Sequence, residues 1–505
     1  MPDAVTIEKP GKLKAKYKGW TGKLLINNQW VPAAGGSTFD VIDPATEEVV
    51  CKVASADRAD VDLAVKAARA AFENPEWRDM KPANRERLMR KLADLIEANL
   101  NEFAEIESID NGKLFVHAQY VDLPASLELL RYYAGWPTKI EGRTIQPSVY
   151  IPGPDGRPLE FFSYTIREAV GVCGQIIPWN FPLIMAMLKL APALAAGCTC
   201  VLKPAEQTPL SALRLGELVI EAGFPAGVVN IVTGFGETAG AAIVDHPGID
   251  KVAFTGSTEV GKIIARNAAA TVKRVSLELG GKSPMIVGPD VDLDEAIPGL
   301  AQGIFFNTGQ VCLAGSRLYV EKSQFDKVVA GVADIAKSIK LGAGLDFSSQ
   351  MGPVVSEEQL HRVLGYIEKG RSEGGRVVTG GDRHGNQGYF VKPTVITNLA
   401  PNATPVQEEI FGPVLVATPY SDIDEVAKLA NSTAYGLGAS IWSRDHRFVH
   451  KMAKRVRSGM VWVNCHLAID AQVAMGGFKQ SGYGREQGAE GLDLYLESKS
   501  VTMRL

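Results

Sequence analysis

The sequence predicts an α/β fold built on two mainly parallel sheets, and three observations predict it. Between Gly171 and Glu278, short runs rich in β-branched and apolar residues alternate with helical runs, the pattern of a parallel sheet with right-handed crossovers. A second alternating region follows Gly280. The chain's 505 residues exceed what one core supports, since domains cluster near roughly 100 to 200 residues, so two or three domains are expected.

Leu24 to Val31, centred on Asn27-Asn28, reads as a hairpin. Asp43 to Thr46 reads as a turn before a strand at Val49 to Ala54. Apolar residues at three- and four-residue spacing predict helices over Ala59 to Phe72, Ala83 to Ile106 and Tyr120 to Gly135. From Thr144 to Arg167, a Pro/Gly-rich turn (Ile151 to Pro158) separates two alternating runs. Such a hairpin has no place in a core and is expected to project towards another subunit.

The first alternating region then predicts strands at Val172 to Ile177, Thr199 to Leu202, Val228 to Val232, Lys251 to Phe254 and Arg274 to Leu277. Between them lie helices at Leu183 to Ala196, Leu210 to Ala222, Thr238 to Asp245 and Glu259 to Ala268. The second region predicts strands at Pro284 to Val287, Arg317 to Val320, Val377 to Thr379, Tyr389 to Ile396, Val414 to Pro419 and Gly459 to Asn464. Its helices are Leu293 to Asn307, Ser323 to Ile339, Glu357 to Gly370 and Ile423 to Ala430, with a long loop from Gly342 to Pro353. The loops of this second domain are expected to meet the first across a cleft. The tail, Ser498 to Leu505, has strand character and is expected to complete a neighbour's sheet.

Composition narrows the ligands. With 46% hydrophobic residues, 22% charged residues and a net charge of −4, nothing favours nucleic acid or an anionic membrane, and small molecules are expected. The six cysteines form no CxxC pair and no HExxH occurs, so no metal site is expected. Cys198 and Cys200 share one face of a strand and read as packing. No run reaches the roughly 18 to 20 apolar residues of a membrane span. The lysine-rich N-terminus to Lys18 reads as a solvated arm of a cytoplasmic protein.

Two residues carry candidate chemistry, Glu278 in Leu277-Glu-Leu-Gly-Gly281 and, 34 residues later, Cys312 in Gly309-Gln-Val-Cys312. A thiol at a break after a helix can face a cleft, although a lone cysteine more often packs as a small hydrophobe. Asn180, in Pro178-Trp-Asn-Phe-Pro182, offers either a fixed amide donor for an oxyanion or a helix cap. Gly234-Phe-Gly236-Glu-Thr-Ala-Gly240 has one residue too many between its last two glycines for a dinucleotide fingerprint and reads equally as a tight turn. Ser257, in Phe254-Thr-Gly-Ser257, stands at a helix N-terminus suited to a pyrophosphate. Lys203 and Glu206, at the end of a strand, stand either where a ribose would lie or in a solvated turn.

Together with Glu408-Glu-Ile-Phe-Gly-Pro413 and Gly476-Gly-Phe-Lys479 followed by Ser481-Gly482, these motifs stand in the order that resembles the NAD(P)-dependent aldehyde dehydrogenases, over nearly the whole chain. The resemblance implies a Rossmann-like parallel-sheet cofactor domain (1–143 and 168–279), a second α/β catalytic domain (280–485) and small β oligomerisation elements (144–167 and 486–505). It implies Cys312 as nucleophile, Glu278 as general base, and Asn180 with the Cys312 backbone N–H as oxyanion hole. NAD would be held by Lys203 and Glu206 at the adenine ribose, Trp179, Ser257 and the Gly236 turn at the pyrophosphate, and Glu409 and Phe411 at the nicotinamide end. Glu206 would repel a 2′-phosphate and so favours NAD over NADP.

The positions that resemble pocket lining are Phe181, Met185, Leu188, Val311, Leu313, Ile469 and Met475, all apolar, with Leu188 and Met475 where relatives often carry aromatic residues. Arg131-Tyr-Tyr-Ala-Gly135 and Val463-Asn-Cys-His466 resemble the phenylacetaldehyde dehydrogenase branch. Aromatic or medium-chain aldehydes are therefore expected, with betaine aldehyde or a semialdehyde as alternatives, Asp470 being the residue that would attract a cation. A cofactor-independent cysteine hydrolase or an inactive relative would be the readings of another class. A homotetramer, a dimer of dimers, is expected from the hairpin and the tail.

Overall fold

The computed structural model describes residues 12–505. Most of the expected N-terminal arm lies outside them. The described part is tied down rather than free: Lys12–Tyr17 is helical, and Lys14 pairs with Asp43 at 2.8 Å and with Glu48 at 2.9 Å.

An eight-stranded sheet takes the order Gly482–Tyr483, Arg274–Glu278, Lys251–Thr255, Val172–Ile176, Thr199–Lys203, Val229–Ile231, Leu24–Ile26, Gln29–Val31. Its five central strands are parallel, and antiparallel pairs close both edges. Asn27 and Asn28, with φ of 54° and 58°, make the tight turn of the edge hairpin, a conformation asparagine tolerates. Because the central strands run one way, the chain leaves four of them at a common edge, and Trp179–Asn180, Lys203–Glu206, Ser257 and Glu278 all stand there.

The seven-stranded sheet runs Arg376–Thr379, Thr394–Thr397, Val414–Tyr420, Arg317–Glu321, Pro284–Val287, Gly438–Trp442, Met460–Val463, parallel but for its first pair. Gly438–Trp442 lies inside this sheet, fully buried, yet its Gly-Ala-Ser start carries no apolar run, so no strand is expected there from periodicity. The segment Tyr389 to Ile396, expected as one strand, contributes only Thr394–Thr397, since Pro393 supplies no ladder N–H.

Two expected helices are also divided. Ala83 to Ile106 is two helices, Pro82–Ala98 and Leu100–Asp110, broken at Asn99, whose side chain donates to the Leu95 carbonyl at 2.7 Å. Tyr120 to Gly135 begins regular winding only at Leu123, after a wide turn at Ala118–Asp122, because Pro124 cannot donate back into a preceding turn.

The tail forms a strand, as expected. Leu496–Arg504 pairs antiparallel with Phe161–Ala169 of its own chain along its whole length, with Thr144–Ile145 on the far side of that strand. Among the described residues no helix is long and apolar enough to cross a membrane.

Candidate active site

Cys312 follows a sharp reversal. The helix Leu293–Phe305 stops two residues before its predicted end, and Asn307, Thr308 and Gly309 all adopt left-handed backbone, with φ of 47°, 57° and 71°. Such conformations cost about 1 to 3 kcal/mol for each non-glycine residue and persist only when the surroundings enforce them. The enforcing contacts are present. Thr308 Oγ1 donates to the Gly352 carbonyl at 3.1 Å, Asn307 Nδ2 to the Asn180 carbonyl at 3.0 Å, and the Val355 N–H to Gln310 Oε1 at 2.9 Å. A Cβ on Gly309 would sit 2.2 Å from the Gly412 carbonyl oxygen, so only glycine passes there.

Asn180 does not cap the helix Pro182–Ala196. Its Nδ2 donates instead to the Gln310 carbonyl at 2.9 Å, two residues before Cys312. The turn carrying it is held from the helix Leu100–Asp110 and the residues after it, which the sequence did not single out. Asn111 Nδ2 donates to the Trp179 carbonyl at 2.8 Å, Glu107 Oε1 accepts from the Leu183 N–H at 2.9 Å, and the Lys113 ammonium lies 4.7 Å from the centre of the Phe181 ring. Lys113 in turn contacts Glu107 at 3.1 Å and Asp122.

Glu278 ends its strand buried, and its Oε1 has no hydrogen-bond partner among the described residues. Burial raises its pKa well above the ordinary carboxylate range; Glu486 raises it further, with Lys189 and Arg485 opposing. Lys189 and Glu486 themselves form a buried ion pair. A lone lysine inside the otherwise apolar helix Pro182–Ala196 was the sequence signal that such a partner existed. Gly476 stands against this carboxylate, its missing Cβ 2.9 Å from Glu278 Oε1.

Gly280 and Gly281 join the parts. A Cβ on Gly280 would strike Glu409 Oε2 at 2.3 Å, and one on Gly281 would strike the Cys312 carbonyl oxygen at 2.2 Å. The Gly281 N–H donates to Glu409 Oε1 at 2.8 Å. Burial lifts Glu409 to a pKa of about 7, the Gly281 N–H opposing. The Cys312 thiol is pushed up to about 12, first by burial, then by the charges of Glu409 and Glu278, so it is protonated at neutral pH.

The remaining candidates fall along the common edge. Lys203 Nζ lies 3.2 Å from Glu206 Oε2 and donates to the Pro204 carbonyl at 2.9 Å. Ser257 Oγ accepts from the Val260 N–H at 3.3 Å, capping the helix Thr258–Ala268, and the buried Thr255 hydroxyl beside it has no partner among the described residues. Trp179 and Phe411 meet edge to face at 5.2 Å. Gly236 opens a short wide turn with nothing within 4 Å of where its Cβ would be, so space alone does not require glycine there.

A cavity of about 500 Å³ reaches Cys312. Its lining includes all seven residues expected there, Phe181, Met185, Leu188, Val311, Leu313, Ile469 and Met475. It also includes Phe306, Leu129, Tyr132 and Leu467, which the sequence did not reveal, and Asp470 and Glu128. Asn180, Glu278 and Glu409 are not among the lining residues, so the thiol stands between an apolar chamber and a group of polar side chains. Among the described residues no group of three or more His, Cys, Asp or Glu side chains is arranged to hold a metal.

Residues 30–501 match the aldehyde dehydrogenase family. The chain belongs to that family. Its enzyme class, aldehyde dehydrogenase, follows from the membership. DhaS of Bacillus subtilis (strain 168) is 53% identical over 502 residues, covering 99% of each chain. Aldehyde dehydrogenase 1A1 of Gallus gallus is 50% identical over 495 residues, covering 98% of this chain and 94% of its own. The NAD+ complex of an aldehyde dehydrogenase from Bacillus cereus superposes with a TM-score of 0.95 at 50% identity, covering 99% of this chain and 100% of that one.

Proposed function

We propose that this aldehyde dehydrogenase uses NAD to oxidise aromatic or medium-chain hydrophobic aldehydes to carboxylic acids through a thioester on Cys312. The observation that carries this reading is the thiol at the end of an apolar chamber, with a fixed amide, the buried Glu278 and the half-buried Glu409 close behind it.

The residues present fit NAD. The paired Lys203 and Glu206 suit ribose hydroxyls, Trp179, the unpartnered Thr255 hydroxyl and the capped helix start at Ser257 suit a pyrophosphate, and Glu409 and Phe411 suit the nicotinamide end. Bound NAD supplies the hydride acceptor. The chain supplies the rest. The Cys312 sulfur, once its proton is lost, adds to the carbonyl carbon. The Asn180 amide and the Cys312 N–H hold the oxygen that becomes an anion. Glu278 takes a proton from the water that hydrolyses the thioester, a role suited to a carboxyl whose pKa burial has raised.

The mainly apolar lining favours hydrophobic aldehydes, and Leu188 and Met475 withhold two of the rings a quaternary ammonium cage would use, leaving Phe181, Phe306 and Tyr132. Comparing catalytic efficiency for phenylacetaldehyde, hexanal, betaine aldehyde and succinic semialdehyde, each with NAD and NADP, tests both parts. Phenylacetaldehyde or hexanal with NAD is expected to lead by about tenfold, some 1.4 kcal/mol of transition-state preference. A charged aldehyde leading by that margin would overturn the substrate reading, with Asp470 the first suspect for the cation and a basic residue such as Arg131 for the anion.

The division into 1–143 with 168–279, 280–485, and 144–167 with 486–505 draws support from the sheets. The seven-stranded sheet lies wholly within 280–485, and the eight-stranded one takes only Gly482–Tyr483 from that stretch. The exposed Ile145, Val149, Tyr150 and Ile151 of the hairpin support its use in a homotetramer.

A further inference from the structure

His466 takes no part in the chemistry above, yet its ring reaches the backbone next to the thiol. Its Nε2 lies 2.9 Å from the Leu313 carbonyl oxygen. A carbonyl only accepts, so Nε2 carries the hydrogen and Nδ1 keeps a lone pair. Nδ1 is buried and has no hydrogen-bond partner among the described residues. Burial pushes the imidazole pKa down to about 4, so the ring is neutral and the donor stays on Nε2 throughout the working range.

Three elements converge on this ring. It packs at 5.0 Å against Trp462, whose Nε1 donates to the Ala468 carbonyl at 2.8 Å and so ties the chain beyond His466 to the strand Met460–Val463. It lies close against Gly303 of the helix Leu293–Phe305, where a Cβ would come within 3.1 Å of the imidazole. The Gly303 carbonyl accepts from the Gly315 N–H at 2.9 Å, closing the loop that carries Cys312 back onto that helix. Beyond His466, Leu467, Ile469, Ala471 and Met475 line the cavity. One side chain thus links the cavity wall, the helix before the thiol and the residue after it.

We propose that His466 is a positioning residue for Cys312, fixing through the Leu313 carbonyl the orientation of the residue that follows the thiol. The consequence falls on the sulfur, because the Leu313 N–H and the Cys312 N–H are the backbone donors that favour its anion. If Leu313 is free to rotate, that N–H leaves the sulfur, and both the formation of the thiolate and its direction of attack suffer. The effect on catalysis rests on the reading of Cys312 as nucleophile; the effect on thiol reactivity does not.

The test compares full-length wild type with H466F, which keeps a ring against Trp462 but has no donor, H466Q, whose amide reaches the carbonyl, and H466N, whose amide is too short. The rate at which iodoacetamide alkylates Cys312, read by mass spectrometry at a fixed mildly alkaline pH, is expected to fall about tenfold in H466F and H466N and to return to within about twofold in H466Q. With NAD and hexanal, kcat should fall about tenfold in H466F while KM stays within about twofold. A merely structural role would instead raise KM with kcat unchanged. If H466F does not fold, the H466Q and H466N pair carries the comparison. Wild-type alkylation in H466F, or equal losses in H466Q and H466N at equal melting temperatures, would overturn the proposal. A wild-type enzyme that reduces no NAD with any of the four aldehydes would instead sink the proposed function, leaving the alkylation result to decide this one.

Discussion

Below the turn that carries Asn180, Lys113 is buried in contact with both Glu107 and Asp122, each charge within reach of an opposite one. At the end of the Arg274–Glu278 strand, charge is buried differently: Glu278 Oε1 and the Lys282 ammonium nitrogen have no hydrogen-bond partner among the described residues. In the first arrangement burial alone would lower Lys113, but Asp122 and Glu107 outweigh it and raise its pKa, while burial lifts Asp122 only to about 6. The second pushes its groups towards neutrality. Burial and Arg317 lower Lys282 to about 7, and burial raises Glu278. Paired buried charges hold a geometry, whereas unpaired ones are costly to keep and available to react. Removing a member of the first group should therefore cost stability, and removing a member of the second should cost activity.

The largest effect is expected on the reactive side. Cys312→Ala should lower aldehyde-dependent NAD reduction on the order of a thousandfold or more while leaving NAD affinity, read by fluorescence titration, within about twofold. Loss of NAD binding in that variant would mean the thiol is part of the cofactor site.

On the paired side, Lys113→Met leaves Glu107 and Asp122 buried without their cation, and unfolding free energy should drop by about 3 to 5 kcal/mol. Denaturant midpoints decide the contrast, because Glu278→Gln should show no such drop. The sign follows from the raised pKa: at neutral pH an unfolded Glu278 is ionised while the folded one resists ionisation, so this carboxyl subtracts stability above its unfolded pKa. A neutral amide removes that cost. Equal destabilisation of both variants would erase the distinction between the two groups.

The smallest of these effects is graded with pH. With the thiol held near 12, the thiolate fraction should rise about tenfold for each pH unit from neutral to mildly alkaline solution, and Cys312 alkylation in the cofactor-free enzyme with it. A rate that levels off near neutral pH would show that the thiol is not held up by burial and the carboxylates.

The sequence made the reactive side legible and the supporting side almost invisible. Glu278, Cys312, Asn180 and the glycines between them stand in ordered motifs, and the parallel-sheet alternation told which of them would share an edge. Glu107, Lys113 and Asp122 look like ordinary surface charge in a helical stretch, because the groups that help to cover them, the Phe181 ring over Lys113 and the Leu183 N–H at Glu107, come some seventy residues further on. His466 was noted only as part of a subfamily resemblance, since its contact with Leu313 spans 153 positions. The break at Asn99 escaped because the apolar spacing continues across it, while the cap that ends the helix is a side-chain bond no periodicity records. The strand Gly438–Trp442 escaped for the opposite reason, its small residues fitting between close neighbours: a Cβ on Gly438 would meet Leu313 at 2.9 Å.

The central claim is that Cys312 and Glu278 act in successive steps, and rapid mixing of Glu278→Gln with NAD and hexanal tests it most directly. The account predicts a burst of reduced cofactor close to one equivalent per active site, followed by steady-state turnover slower than wild type by about a hundredfold or more, because the thioester forms but its hydrolysis lacks a base. Undiminished steady-state turnover, or the absence of a burst with the thiol intact, would contradict it.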